Sequence, residues 1–348
     1  MTGPALSIVV PCYNEEACLA ELHGRLTAAA RAAVGEDYEI VLVNDGSRDG
    51  SWEMMRSLSA RDPRLVSINL SRNHGHQLAL TAGLDLCSGA RILIIDADLQ
   101  DPPELLPEMM AEMDRRSADV VYAVRRARAG ETAFKLATAK IFYRLLSRLA
   151  EIEIPRDTGD FRLMSRRALD ALLSLPEQAR FIRGMVAWIG FRQVPIAYDR
   201  AERHAGQSKY PFSKMLRFAL DAVTGFSTAP LRMASHIGLW LVAASVLLVG
   251  YIAFGFFTGS AIQGWTSLML VVVVLGAVQM FVLGMIGEYL GRLYMESKHR
   301  PLYIVAEIAG HAGGEPKLGH VAHEAEGPGA ETIATSDTPG GKGSLPIA

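Results

Sequence analysis

Two stretches of this chain, 233–257 and 265–287, contain no Lys, Arg, Asp or Glu. Each exceeds the roughly 20 apolar residues that a helix needs to cross a bilayer. Two such runs in succession, joined by the short uncharged loop 258–264, predict a transmembrane hairpin. A helical hairpin buried in a soluble protein is the competing reading, and the length of the uncharged runs counts against it. Arg217 and Arg232 precede the first run, and Arg292, Lys298 and Arg300 follow the second. The positive-inside rule then puts both flanks and both termini in the cytoplasm, and the chain in the inner (plasma) membrane as a multi-pass protein. Half of the 348 residues are hydrophobic, and the excess lies after residue 232.

The first two hundred residues read differently. Short apolar runs at 6–10, 39–43, 65–70, 91–95 and 120–124 are separated by amphipathic stretches of helical length. That alternation predicts an α/β domain with a mostly parallel sheet and helices on both faces. Asn14 stands where it can cap the first helix, and Ser165 caps another through about Leu173. No Gly-x-Gly-x-x-Gly follows any strand and there is no Walker lysine, which disfavours nicotinamide and P-loop readings. A formal net charge of −2 argues against nucleic acid as a partner. Cys12, Cys18 and Cys87 have neither zinc spacing nor a disulfide framework, and fit a reducing compartment.

Chemistry gathers at the strand ends, where open α/β sheets bind ligands. The run 92–95 is followed by Asp96-Ala97-Asp98-Leu99-Gln100-Asp101. Two carboxylates two residues apart are hard oxygen ligands suited to Mg²⁺ or Mn²⁺ with a substrate phosphate. Taken alone, Asp-x-Asp is a weak signal, and the pair can simply be an acidic cap on the helix opening near Pro102. Tyr13 can lie along a nucleobase or be a rim aromatic. Asp45, in Asn44-Asp45-Gly46-Ser47, can accept from a base or ribose or belong to a plain turn. Arg125 opens a basic run at the same edge, fitting a phosphate or a solvated face.

Taken together and in this order, the motifs carry a resemblance. Val9-Val10-Pro11-Cys12-Tyr13-Asn14-Glu15, Val43-Asn44-Asp45-Gly46-Ser47 and Asp96-Ala97-Asp98-Leu99-Gln100-Asp101-Pro102 resemble the nucleotide-sugar half of family 2, GT-A-fold glycosyltransferases. Thr158-Gly159-Asp160-Phe161-Arg162 and Arg203-His204-Ala205-Gly206-Gln207-Ser208-Lys209-Tyr210 resemble its polyprenyl-phosphate branch, which includes bactoprenol glucosyl transferases and dolichol-phosphate mannose synthases. The similarity runs over about residues 6–300. It implies that Asp98 and Gln100 bind the metal. It also implies that Pro11, Tyr13, Glu15, Val43, Asp45, Asp96 and Ala97 line the nucleotide site. Arg203 and Lys209, helped by Ser208, would hold the acceptor phosphate. Asp160 would position the reacting groups or the metal shell, or act as a base.

The expected organisation is a cytoplasmic GT-A domain over 1–210 that includes an interfacial helix at 134–150. A second interfacial helix at 211–231, the two spans within 232–300 and a disordered tail at 310–348 follow. The expected activity is inverting transfer of a sugar, UDP-glucose favoured, from a nucleoside-diphosphate sugar to undecaprenyl phosphate at the bilayer. Interfacial hairpins often associate, which leaves room for a homo-oligomer. Two alternatives stand beside it. A processive polysaccharide synthase would carry a Gln-x-x-Arg-Trp motif, which this sequence lacks. A non-catalytic, membrane-anchored nucleotide-sugar-binding protein would not need the intact Asp-x-Asp.

Overall fold

The computed structural model describes residues 3–125, 158–199, 229–258 and 265–310. The first half alternates strand and helix: β1 (Leu6–Cys12), α1 (Glu16–Val34), β2 (Tyr38–Asn44), α2 (Ser51–Ser59), β3 (Leu65–Leu70), α3 (His76–Leu86) and β4 (Arg91–Ile94). A 3-10 turn at Pro103–Leu105 leads into α4 (Leu106–Arg115) and β5 (Val120–Arg125). Then come β6 (Thr158–Ser165), α5 (Arg166–Leu173), α6 (Ile182–Trp188) and β7 (Gln193–Tyr198). Two long helices, α7 (Ala229–Phe257) and α8 (Trp265–Ser297), precede a last strand, β8 (Val305–Ala309).

The sheet order is β7-β5-β6-β4-β1-β2-β3-β8. β1 pairs in parallel with β2 and β4, β2 with β3, and β5 with β7. β6 runs antiparallel to β4 and β5, and β8 antiparallel to β3. The sheet is thus mostly parallel, as expected, with two reversed strands. Successive residues of a strand point to opposite faces, and both faces here are covered. Leu6, Ile8 and Val10 pack beneath α1 and α4, whereas Val9, Val41 and Val43 pack against α3 and α5. Burial on both sides explains why β1 and β2 read as continuous apolar runs rather than alternating ones.

Two local expectations separate at this level. Ser165 does cap α5, its hydroxyl accepting from the Ala168 N–H. Asn14 does not cap α1. It sits in the left-handed region at φ 56°, a conformation asparagine tolerates better than most residues. Its side-chain oxygen accepts from the Arg48 N–H at 2.8 Å. The first N–H groups near α1 are met from across the edge instead: Glu15 N donates to Ser51 Oγ at 2.9 Å and Glu16 N to Asp49 Oδ2 at 3.3 Å.

Beyond the sheet, one stretch among the described residues, Val271–Ser297 in α8, is long and apolar enough to cross a membrane by length and composition. α7 spans 29 residues and exposes Leu239, Trp240, Leu247 and Phe254. The interfacial helix at 134–150, nearly all of the one at 211–231, and the tail beyond Gly310 lie outside the described residues. β8 was not expected at all. It returns the chain to the sheet after α8, so the catalytic layer draws on residues well past 210.

Gly46 shows how tightly the edge is drawn. It lies at φ +63°, and a Cβ there would sit 2.5 Å from the Arg72 carbonyl carbon and the Asn73 nitrogen. Gly35 has a similar φ of +66° with nothing within 4 Å. With φ +66° and ψ −129°, Gly35 lies in a backbone region that only glycine enters readily, so Gly35→Ala should cost backbone strain alone, about 1–3 kcal/mol. Gly46→Ala should cost clearly more, because backbone must move. Denaturant unfolding of both variants in detergent checks the ranking, and equal losses would contradict it.

Candidate active site

The site follows from strand register. β4 and β6 pair antiparallel with Ile94 opposite Arg162. Two residues further along β4, and two back along β6, Asp96 comes to face Asp160. The chain leaves β4 under constraint, for Leu99 is in the left-handed region at φ 58°, a strain that tends to persist at functional sites. Asp98 folds back on the same turn, its Oδ1 accepting from the Gln100 N–H at 3.2 Å. Gln100 itself is buried.

Asp160 is buried and surrounded by donors. Arg183 Nε donates to its Oδ1 at 2.9 Å. Gln77 Nε2 donates to Oδ2 at 3.2 Å, and His76 Nε2 lies 3.0 Å from that same oxygen. Arg162 Nη2 stands 3.7 Å from Oδ1. Burial disfavours the Asp160 carboxylate, but the His76 hydrogen bond and the two guanidinium charges overwhelm it and hold the group far below the usual carboxylate range. Burial in turn pulls Arg162 down to about 10, although Asp160 opposes that. Asp160 is thus an ionised anchor whose two oxygens already face three donors.

Asp96 is the opposite case. Its Oδ1 is buried without a hydrogen-bond partner, with His76 Nε2 3.6 Å away. Burial pushes its pKa up to about 6, against the pull of His76. Ligand atoms of His76, Asp96 and Asp160 all lie within 4.8 Å of one another, close enough to share a cation. The chemistry of the set narrows this. Asp160 already faces two arginines, which would repel a cation, while Asp96 has acceptor capacity left. Asp96 is therefore the member of this set with room for a divalent ion, and Asp98 and Gln100, the expected ligands, follow on the next turn, outside the set.

The rest of the edge belongs to the strand-end loops. Asp45 is 3% exposed, and its two carboxylate oxygens accept from His74 N at 2.6 Å and Gly75 N at 2.9 Å. Burial raises its pKa and those N–H groups oppose the rise. Asp45 thus fixes the loop 71–75, whatever it also offers a ligand. Val43 and Ala97 are in the core and Pro11 is buried, so what they present to a ligand is main chain. Tyr13 is 43% exposed at the rim, and Glu15 is partly buried beside it. Arg125, at the end of β5, keeps a buried Nε without a hydrogen-bond partner. It lies against Tyr198, whose hydroxyl donates to Asp101 Oδ1 at 2.5 Å. Arg203, Ser208 and Lys209 lie outside the described residues.

Four of these residues had no assigned role in the sequence reading: His76, Gln77, Arg162 and Arg183. Arg162 was legible in hindsight, because residues two apart on a strand share a face. His76 and Gln77 sit at the end of a conspicuous polar turn after β3. Arg183 carries no signal, since it reaches Asp160 only through the packing of α6.

A mostly parallel sheet with paired carboxylates at its C-terminal edge, and a reversed strand bringing the second one in, is the GT-A-like arrangement of a glycosyltransferase. The chain belongs to glycosyl transferase family 2, whose sequence model matches residues 7–173. It is 48% identical over 305 residues to the glycosyltransferase YkcC of Bacillus subtilis, covering 87% of this chain and 94% of that one. It is 38% identical over 301 residues to the bactoprenol glucosyl transferase of Shigella phage SfV, covering 86% of this chain and 97% of that one. Among solved structures it is similar to S. aureus TarS 1-349 in complex with UDP-GlcNAc, at 19% identity and TM-score 0.45 over 63% of this chain and 65% of that one. The expected family and the enzyme class are thus both met.

Asp160 gives the site's first test. Asp160→Asn keeps the shape but leaves buried Arg162 without its counter-charge, a loss of about 3–5 kcal/mol for a broken buried pair. The sign with pH follows from the depressed pKa. The stabilisation is complete above the ordinary carboxylate pKa of ~3.9 and is lost as pH falls below it. At pH 7 the variant should unfold at clearly lower denaturant, and adding Arg162→Met should recover part of the loss. A change below about 1 kcal/mol would mean that the anchor is not ionised.

Proposed function

We propose that this glycosyltransferase moves a sugar, with inversion, from a nucleoside-diphosphate sugar to a polyprenyl phosphate at the cytoplasmic membrane face. UDP-glucose is the favoured donor. The observation that carries the reading is the state of Asp160. A hydroxyl acceptor needs a base at the reacting centre, and the buried carboxylate of this edge has its oxygens taken by Arg183, Gln77 and His76. A phosphate monoester needs none, because its second ionisation lies near ~6 by analogy with phosphoserine. The extended likeness to a bactoprenol glucosyl transferase supports the same acceptor. So does an apolar helix that ends against the catalytic layer.

Catalysis then rests on placement and charge. Asp96 and Asp98, with Gln100, would hold Mg²⁺ or Mn²⁺. Bound there, the ion supplies positive charge against the leaving diphosphate. Arg125, at the end of β5 on the same edge, would contact a donor phosphate. Arg203 and Lys209, with Ser208, would hold the acceptor phosphate. Asp160 keeps Arg162, Arg183 and His76 in register beside the reacting groups. Tyr13 and the main chain at Pro11, Val43 and Ala97 line the nucleotide, with Asp45 and Glu15 fixing the loops around it. The charge-free runs of α7 and α8 would cross the bilayer as a pair with both ends cytoplasmic. A processive synthase extends a hydroxyl, and the occupied Asp160 tells against it.

The test is turnover of the purified full chain with undecaprenyl phosphate and a panel of UDP- and GDP-sugars. A glycosylated lipid phosphate of inverted configuration is expected with at least one donor. Asp96→Asn and Asp98→Asn, and excess chelator, should each lower turnover by about a hundredfold or more, in keeping with the loss of one strong charge-stabilising group. Full activity under chelation would remove the metal role. No transfer to the lipid with any donor would remove the acceptor.

A further inference from the structure

The chain does not simply end at the membrane helices. His299, in the left-handed region at φ 46°, ends the turn after α8, and the next residues return to the sheet. Ser71 N donates to the Ile304 carbonyl at 2.9 Å, and β8 then pairs with β3. Two side chains on this return path grip elements of the catalytic layer. Both carboxylate oxygens of Glu296 accept from the Gln178 N–H, at 2.9 and 3.1 Å. The Tyr303 hydroxyl donates to Asp85 Oδ2 at 2.8 Å. Arg180 stands between the two grips, partly desolvated and in the field of Asp85, Glu177 and Glu296.

What matters is where the gripped elements lead. Asp85 is near the C-terminal end of α3, and the N-terminal end of that helix carries His76 and Gln77 on Asp160. Gln178 starts the short segment into α6, which carries Arg183 onto Asp160. The two paths are also tied together, because Ile182 N donates to Gln77 Oε1 at 2.9 Å. Three of the groups that hold Asp160 are therefore delivered by two elements fastened to the exit of α8, α3 at its far end and α6 through the segment just before it.

We infer that Glu296 and Tyr303 are positioning residues for the transfer reaction: they couple the exit of the membrane helix to the donor cage around Asp160. The inference rests on placing Asp160 at the reaction centre. Its chemical content is that a shift of the α8 exit moves Arg183 and Gln77 relative to Asp160, changing the field at the reacting groups. The coupling runs through rigid, hydrogen-bonded elements with few residues between grip and cage.

The test uses the full chain in lipid nanodiscs, with Glu296→Ala, Glu296→Gln and Tyr303→Phe. Glu296→Ala should lower kcat about tenfold, the scale of one lost hydrogen bond to a charged group. Donor KM should stay within about twofold, since ground-state donor binding is untouched. Glu296→Gln keeps one acceptor oxygen and should restore most of kcat. In an Arg183→Ala background Glu296→Ala should add little, since both act on one cage. Hydrogen exchange should quicken at Ile182, Arg183 and Gln77 in Glu296→Ala, and at the His76 end of α3 in Tyr303→Phe. A loss confined to donor KM, full additivity with Arg183→Ala, or faster exchange that stops at Arg180 would each overturn the coupling. The exchange measurement needs no turnover. Absence of transfer by the unaltered chain would thus sink the acceptor assignment alone, and the exchange result would still decide the coupling.

Discussion

One buried negative charge organises this molecule. A carboxylate taken out of water is costly unless charge and hydrogen bonds replace the solvent. Asp160 is met by Arg183, His76 and Gln77, with Arg162 close by. Those partners come from α3, β6 and α6, so the requirement to satisfy one side chain fixes three elements against each other. Only an antiparallel neighbour of β4 brings residue 160 level with residue 96 from a register in which 94 faces 162.

That arrangement divides labour between two acids a short distance apart. Asp160 is ionised and held by three hydrogen-bonding partners. Asp96 is half-buried beside it, with its Oδ1 buried and without a hydrogen-bond partner, and with a pKa raised to about 6. Paired titratable groups whose surroundings drive their pKa values apart mark distinct roles. Here one acid is an electrostatic anchor, and the other keeps acceptor capacity for a ligand. The division also explains why the chain suits an acceptor that arrives already charged.

Much of this was legible in the sequence. The strand positions, the Ser165 cap, the carboxylates at the end of β4 and the family all follow from local pattern or motif. What was not legible is what depends on distant parts meeting. The α1 entrance reads as an Asn14 cap, yet the β2–α2 loop supplies the groups that meet it. Asp45 reads as a ligand contact or a plain turn, and its hold on the loop after β3 could be seen in neither. β8 is a short run of mixed character, Val305-Ala306-Glu307-Ile308-Ala309, whose strand identity comes from the open edge of β3. Arg183 has no motif because it approaches Asp160 by tertiary packing alone.

The central claim is that Asp96 is the acid a cation takes up when the nucleotide diphosphate binds. Titration calorimetry of UDP and GDP into the full chain, with and without Mn²⁺, tests it most directly. Binding of one of them should strengthen markedly with Mn²⁺ and weaken as the pH is lowered through about 6, where Asp96 takes up its proton. Asp96→Asn should lose the metal-dependent part and keep the fold. Nucleotide binding that ignores both the metal and the Asp96→Asn change would contradict the account.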